Sequence, residues 1–128
     1  MPSAETYTIS ELAKHFDVTP RAIRFYEDQG LLHPKRVNAQ RVYNDGDFVR
    51  LKLILRGKRI GFSLAELKQT ISLYDAHPDS KAQLNYVLET IENHRQELLQ
   101  RKQDIETTLA DMQDVQARVK EQLELLES

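Results

Sequence analysis

A short segment near the start of the chain carries positive charge and a phenolic hydroxyl in a pattern suited to binding phosphate. Residues 19–27 read TPRAIRFYE. Thr19 can cap the free N–H groups of a first helical turn, and Pro20 suits the first helical position because its missing N–H would be unpaired there anyway. Arg21 and Arg24 are three residues apart and share one helical face, at the end where the helix dipole attracts anions. The pattern predicts a helix that recognises DNA.

The preceding residues predict another helix, separated from the first by a tight turn. Thr8 and Glu11 have the spacing of a capping box, and an apolar face follows at helical spacing over residues 9–16. Only two residues then remain before the Thr19 cap, so we expect a helix-turn-helix whose second helix enters the major groove. Gly30 is expected to end that second helix in the left-handed conformation.

Residues 33–46 are polar and turn-forming, and Arg41-Val42-Tyr43 alternates in the manner of a short strand. We interpret the segment as a basic wing, with Arg41 and Tyr43 on the phosphate backbone and Arg36 as a further DNA-binding residue. The alternative is a solvated hairpin whose charges only keep the protein in solution. We favour the wing because a basic hairpin so soon after a helix-turn-helix repeats the same electrostatic preference.

Two more helices are predicted after the wing. The third starts near Asp47 and runs to Ile60, with Gly61 as its stop. Ser63 and Glu66 form a second capping box, which opens the fourth helix.

The remaining chain predicts one long helix over residues 79–127, with Asp79 as its cap, because glycine and proline do not recur after Pro78. One apolar column repeats every seven residues: Leu84, Ile91, Leu98, Ile105, Met112, Val119 and Leu126. The neighbouring column is half polar: Leu88, Arg95, Lys102, Leu109, Gln116 and Leu123. This spacing is typical of a coiled coil, and we expect a homodimer because the small N-terminal domain cannot cover so long a stripe.

Three polar residues, Arg95, Lys102 and Gln116, interrupt the second column. One interpretation is that these long side chains bend outward and pack through their stems. The other is that they set the register and orientation of the coil, or line a binding cleft. We favour the first, and the spacing itself does not distinguish a parallel from an antiparallel pairing.

Charge is divided unevenly along the chain. Residues 14–59 contain eleven Lys/Arg and five acids, a balance of +6, whereas residues 79–128 contain six Lys/Arg and eleven acids, a balance of −5. The formal net charge of −2 therefore conceals a basic region suited to DNA. Within it, Lys58 and Arg59 either reach phosphate as a second wing or complement the negative end of the third helix.

Several function classes are excluded or disfavoured. The chain has no cysteine, which removes thiolate metal sites and disulfide redox sensing. Its four histidines, at positions 15, 33, 77 and 94, lack metal-ligand spacing, so we expect neither a metal nor another cofactor. No apolar run could cross a membrane and no signal peptide is visible, so we expect a cytoplasmic protein without a membrane partner.

Enzymatic activity is disfavoured because the sequence shows no activated nucleophile, phosphate-cradling glycine loop or convergent carboxylate pair. A coiled-coil adaptor that does not bind specific DNA sequences remains the alternative function. The basic cluster of residues 21–59 argues against it, since an adaptor does not require that cluster.

In combination, these motifs resemble the MerR family of bacterial transcription regulators over about residues 8–75. The matching motifs are Arg24-Phe25-Tyr26-Glu27, Gly30-Leu31-Leu32, Arg41-Val42-Tyr43 and Ile60-Gly61-Phe62-Ser63-Leu64. The resemblance implies a mainly α fold, with a winged helix-turn-helix domain at residues 8–75 followed by a dimerisation helix at residues 79–127. It also implies that the two long helices of a dimer form an antiparallel coiled coil.

The resemblance further implies a role for individual residues. Three are placed at the major groove and three on the DNA backbone: Thr19, Arg21 and Arg24, then Tyr26, Arg41 and Tyr43. Phe25 departs from the tyrosine of many members and cannot donate a hydroxyl to phosphate, so we expect it in the core. The implied action is binding of a promoter inverted repeat by a homodimer, which distorts the spacer DNA for RNA polymerase.

Residues 51–64 and 24–28 are similar to the MerR-type subgroup that controls leucine and isovalerate catabolism. This likeness lies in the DNA-binding half and so concerns target genes more directly than a ligand. It implies an acyl-CoA or a branched-chain acid intermediate as the effector.

Overall fold

A computed structural model of the protein describes residues 5–128, which form five helices and one β-hairpin. In chain order the elements are α1 (Ile9–Phe16), α2 (Pro20–Asp28), β1 (Lys35–Val37), β2 (Gln40–Val42), α3 (Asp45–Arg59), α4 (Leu64–Ala76) and α5 (Lys81–Glu127). The chain is mainly helical, as predicted. It divides into two compact units, the first ending at Thr90 and the second comprising Ile91–Ser128.

The first two helices begin where their caps predict. The Thr8 hydroxyl accepts a hydrogen bond from the Glu11 backbone N–H at 3.1 Å, and the Glu11 carboxylate accepts one from the Thr8 N–H at 2.8 Å. At the start of α2, the Thr19 hydroxyl accepts from the Ala22 N–H at 3.1 Å. Gly30 follows α2 with φ +79°, the left-handed conformation expected of it.

Two helix starts differ from the prediction because other residues provide the caps. Helix α3 begins at Asp45 rather than near Asp47, since the Asn44 side chain accepts a hydrogen bond from the Asp47 N–H at 2.8 Å. Before α5, the Ser80 hydroxyl accepts from the Gln83 N–H at 3.2 Å. Asp79 has φ 55°, so its prediction as the cap of α5 is wrong.

The hydrophobic core of the first unit draws on every helix from α1 to α4. Its buried apolar residues are Leu12, Ala13, Ile23, Tyr26, Leu31, Leu32, Tyr43, Leu51, Ile54, Phe62, Leu67 and Ile71. Helices α3 and α4 approach closely at Gly57, where a Cβ atom would lie 2.7 Å from Cδ2 of Leu67.

The buried carboxylate of Asp47 connects the two ends of the wing segment to helix α3. Asp47 is 1% exposed and accepts hydrogen bonds from the backbone N–H groups of His33 and Asn44, at 3.1 and 3.3 Å. Arg50 reaches the same carboxylate at 3.2 Å and also bridges to Asp75 on α4 at 2.7 Å. Because a buried charge is tolerated only when it is paired and hydrogen-bonded, this network fixes the ends of the wing segment.

Candidate nucleic-acid interface

Helix α2 presents one apolar face to the core and one basic face to solvent. Ile23 and Tyr26 are buried, 0% and 3% exposed respectively. Thr19, Arg21 and Arg24 are exposed, and neither arginine forms an ion pair or hydrogen bond with residues 5–128. The outward face of α2 thus carries two cations that have no counter-ion among residues 5–128.

The wing is a two-stranded antiparallel hairpin with an extra bridge at its base. The partners across β1 and β2 are Lys35 with Val42, Arg36 with Arg41, and Val37 with Gln40. The turn residues Asn38 and Ala39 are both left-handed, with φ 51° and 68°, as two-residue hairpins favour. Tyr7 pairs with Tyr43 through two backbone hydrogen bonds of 2.8 and 2.9 Å, which adds a third segment to the hairpin.

The two wing arginines predicted to bind DNA have different surroundings. Arg36 is exposed and donates to the Ala39 carbonyl at 3.3 Å, so its guanidinium stays at the turn of the hairpin. Arg41 instead places its Nε 2.6 Å from Oε2 of Glu27, and the two side chains are only 24% and 19% exposed. The hydrogen bond to Glu27 raises the pKa of the Arg41 guanidinium. Glu27 was not among the predicted site residues.

The phosphate contact predicted for Tyr43 is wrong. Tyr43 is 0% exposed, and its hydroxyl is buried without a hydrogen-bond partner in the described chain. Burial, reinforced by the negative charge of Glu27, raises the pKa of this hydroxyl to about 12. Tyr26 is equally a core residue at 3% exposed, so both tyrosines are removed from the candidate interface.

The core position predicted for Phe25 is also wrong, since its side chain is 48% exposed. Its ring meets the edge of the Tyr26 ring, with centroids 5.5 Å apart. The core is filled from α2 by Ile23 and Tyr26, so the residue between Arg24 and Tyr26 is turned outward. An apolar ring therefore borders the basic face of α2.

The last turn of α3 supplies further exposed cations. Lys58 and Arg59 are both exposed, and Nζ of Lys58 lies 6.0 Å from the centroid of the Tyr26 ring. This contact places the Lys58 ammonium next to α2, at the limit of a cation–π interaction. Both residues also complement the negative end of α3, and neither predicted role is contradicted.

Helix α5 exposes the apolar column that the heptad pattern predicted. In the second unit, Leu98, Ile105, Met112, Val119 and Leu126 are all more than half exposed. The polar interruption Arg95 is 60% exposed in its side chain and pairs with Glu92 at 3.0 Å. So many exposed apolar residues at heptad spacing are typical of a face that another helix covers.

Among residues 5–128, no group of three histidine or acidic side chains could hold a metal ion. His15 instead packs its ring against Phe16 and Phe48, with centroids 4.8 and 5.0 Å apart. No helix in this part of the chain is long and apolar enough to cross a membrane.

Comparisons with known proteins agree with this geometry. Residues 7–73 match the MerR HTH family regulatory proteins, and residues 48–115 match the MerR DNA-binding family. The chain is 31% identical over 112 residues to the HTH-type transcriptional regulator ZntR of Escherichia coli (strain K12), covering 86% of this chain and 73% of that protein.

Solved structures that are similar to about four-fifths of this chain include the following two. One is HiNmlR, described as a MerR family regulator lacking the sensor domain and bound to promoter DNA. Its TM-score is 0.60 and its sequence identity 25%, and the match covers 78% of this chain and 80% of that one. The other is PbrR691 from Ralstonia metallidurans CH34 in complex with lead(II), with a TM-score of 0.66, 28% identity, and coverage of 82% and 83%.

Proposed function

Since this chain belongs to the MerR family of helix-turn-helix regulatory proteins, we propose that it binds promoter inverted repeats as a homodimer. It is a sequence-specific DNA-binding transcription regulator and not an enzyme. The observation that carries the proposal is the outward face of α2. Arg21 and Arg24 stand there without a counter-ion from the described chain, while the opposite face is buried. A helix of this kind reads base edges with its N-terminal residues and positions itself through phosphates.

The proposed DNA-binding residues are the exposed ones among those predicted: Thr19, Arg21, Arg24, Arg36 and Lys58. They lie on α2, on the wing and at the end of α3, so the contacts would span a groove and its flanking backbone. Exposure and positive charge support this set, because phosphate contacts come mainly from arginine, lysine and small hydroxyl side chains.

Dimerisation through α5 is supported by its exposed apolar column, and the family resemblance favours an antiparallel pairing. The coil would then fix the distance between the two recognition helices. If both helices can reach their half-sites only when the spacer is bent or untwisted, specificity includes bases that the protein does not touch. Such a distortion would realign promoter elements for RNA polymerase.

The effector is constrained by what the chain contains. PbrR691 was solved with lead(II), but this chain has no cysteine, so a thiolate site for a soft metal cannot form within it. Control of leucine and isovalerate genes by an acyl-CoA or branched-chain acid rests on the sequence resemblance alone and stays a prediction.

Selection of bound fragments from a genomic DNA pool, at near-physiological salt to suppress non-specific binding, tests the proposal. We expect recovery of an inverted repeat inside promoters, and the downstream genes test the branched-chain prediction. Arg24→Ala should weaken binding and either relax preference at one base position or reduce the salt slope by about 1. Arg118→Ala is the matched control, because Arg118 is exposed and pairs with Asp114 on α5. Failure to enrich any sequence would favour the adaptor function.

A further inference from the structure

We infer that Glu27 and Arg41 form a positioning pair that fixes the wing against the recognition helix, and that Arg41 aids DNA binding through this pair rather than by contacting phosphate. The inference rests on the proposed function, in that α2 and the wing are taken as the DNA-binding elements. It replaces the direct backbone contact that the sequence predicted for Arg41.

The pair joins the two elements whose relative orientation matters. Glu27 lies in the last turn of α2 and Arg41 in the middle of β2, and their 2.6 Å contact joins Nε to a single carboxylate oxygen. Both side chains are about four-fifths buried, at 24% and 19% exposed. The Arg41 guanidinium is therefore neutralised and largely covered, unlike those of Arg21 and Arg24.

A positive charge such as that of Arg41 stabilises the C-terminal end of α2. Glu27 and Asp28 put two acids at the negative end of the helix dipole, and α2 has no basic residue in its last turn. Acids at that end of a helix are destabilising, so a cation from outside the helix stabilises it. Arg41 supplies it, and its strand is thereby tied to α2.

The hairpin needs such a tie because it has little stability of its own. Its strands are three residues long, and a two-stranded hairpin is marginal in water. The Tyr7–Tyr43 bridge holds only its base. Among residues 5–128, the Arg41–Glu27 bond is the ion pair that connects the wing to the recognition helix.

The two roles for Arg41 predict opposite effects of neutralising Glu27. If Arg41 binds phosphate, Glu27 competes with the DNA for it, and Glu27→Gln tightens binding. If the pair positions the wing, Glu27→Gln frees the wing and weakens binding. The salt dependence separates the roles as well, since losing one phosphate contact reduces the slope of log K against log salt by about 1.

The experiment measures the affinity of full-length Glu27→Gln, Arg41→Gln and the double variant for the DNA recovered by selection, at several salt concentrations. We expect each single variant to bind about tenfold more weakly, equivalent to about 1.4 kcal/mol, with an unchanged salt slope. The double variant should be no weaker than the weaker single variant, because both remove one interaction. Arg36→Gln is the matched control, because replacing exposed Arg36, a proposed DNA contact, should reduce the slope of log K against log salt.

Hydrogen exchange of the wing in the DNA-free variants provides a readout that does not depend on DNA binding. We expect faster exchange of the amides of residues 35–42 in Glu27→Gln, with a free energy of unfolding close to that of the parent. Unchanged exchange in the wing, tighter DNA binding by Glu27→Gln, or a reduced salt slope for Arg41→Gln would each overturn the inference. If the parent protein enriches no DNA, the exchange result still decides whether the pair positions the wing.

Discussion

Replacing Tyr43 with phenylalanine should stabilise the protein and leave DNA binding intact. The Tyr43 ring is completely buried, and its hydroxyl has no hydrogen-bond partner in the described chain. A buried polar group without a partner costs about 1–3 kcal/mol, and Tyr43→Phe removes that group while keeping the ring. Allowing for the contacts of one lost oxygen atom, we expect the free energy of unfolding to rise by about 1 kcal/mol.

Urea denaturation at one fixed protein concentration measures the change, because the stability of a dimer depends on concentration. Tyr7→Phe is the matched comparison, since the Tyr7 hydroxyl lies 2.9 Å from a carboxylate oxygen of Glu5 and 3.2 Å from one of Asp45, and its single proton can be donated to either. That variant should lose stability rather than gain it. A loss of about 1 kcal/mol or more in Tyr43→Phe would show that the buried hydroxyl has a partner. Weaker DNA binding by Tyr43→Phe would instead support the phosphate contact that the burial of Tyr43 argues against.

Three further predictions follow from the described contacts. Asp47→Ala should lower the free energy of unfolding by about 3 kcal/mol in urea denaturation, because three hydrogen-bond donors lose a buried acceptor. As a control, Asp28→Ala at an exposed position should change the free energy of unfolding by less than about 0.5 kcal/mol. Stability should fall as the pH rises from 10 towards 12, because burial raises the pKa of the Tyr43 hydroxyl to about 12 in the folded protein, so this group ionises first in the unfolded chain and favours unfolding. Tyr43→Phe should make this fall smaller. Ile105→Lys should weaken dimerisation at least about tenfold in sedimentation equilibrium with helicity retained, while Gln103→Lys, off the apolar column, should not; equal dimerisation by both would remove this column from the interface.

The sequence predicted the helices well because their ends depend on local contacts. Capping boxes at Thr8 and Ser63 involve residues three positions apart, and such spacing is visible in a sequence. Helix α3 starts two residues before the predicted position because Asn44 caps it, and this cap too acts on the residue three positions later. For α5, Ser80 is the cap rather than the predicted neighbour Asp79, and the sequence does not distinguish them because either residue type is a common cap.

The site residues were harder to predict because their roles depend on contacts between distant segments. Arg41 and Glu27 are fourteen positions apart, and no periodicity links a strand residue to the end of an earlier helix. Tyr43 was assigned to phosphate from its basic neighbours, but the pairing with Tyr7 turns it into the core. Phe25 shows the reverse error, since an apolar residue was expected inside and lies half outside. Residue type alone therefore misassigns burial where a short helix offers only one face to the core.

The separation of charge along the chain explains how a protein with a net negative charge can bind DNA. A balance of +6 lies within residues 14–59, and two copies in a dimer would bring two such regions to one site. Each cation that contacts phosphate releases counter-ions from the DNA, so the affinity should fall steeply with salt despite the net charge of −2. The acidic balance of −5 over residues 79–128 repels the same phosphates, which discourages binding of α5 along the duplex. Specific affinity then depends on the few cations of the interface that have no counter-ion within the protein, and Arg41, neutralised by Glu27, should not be counted among them.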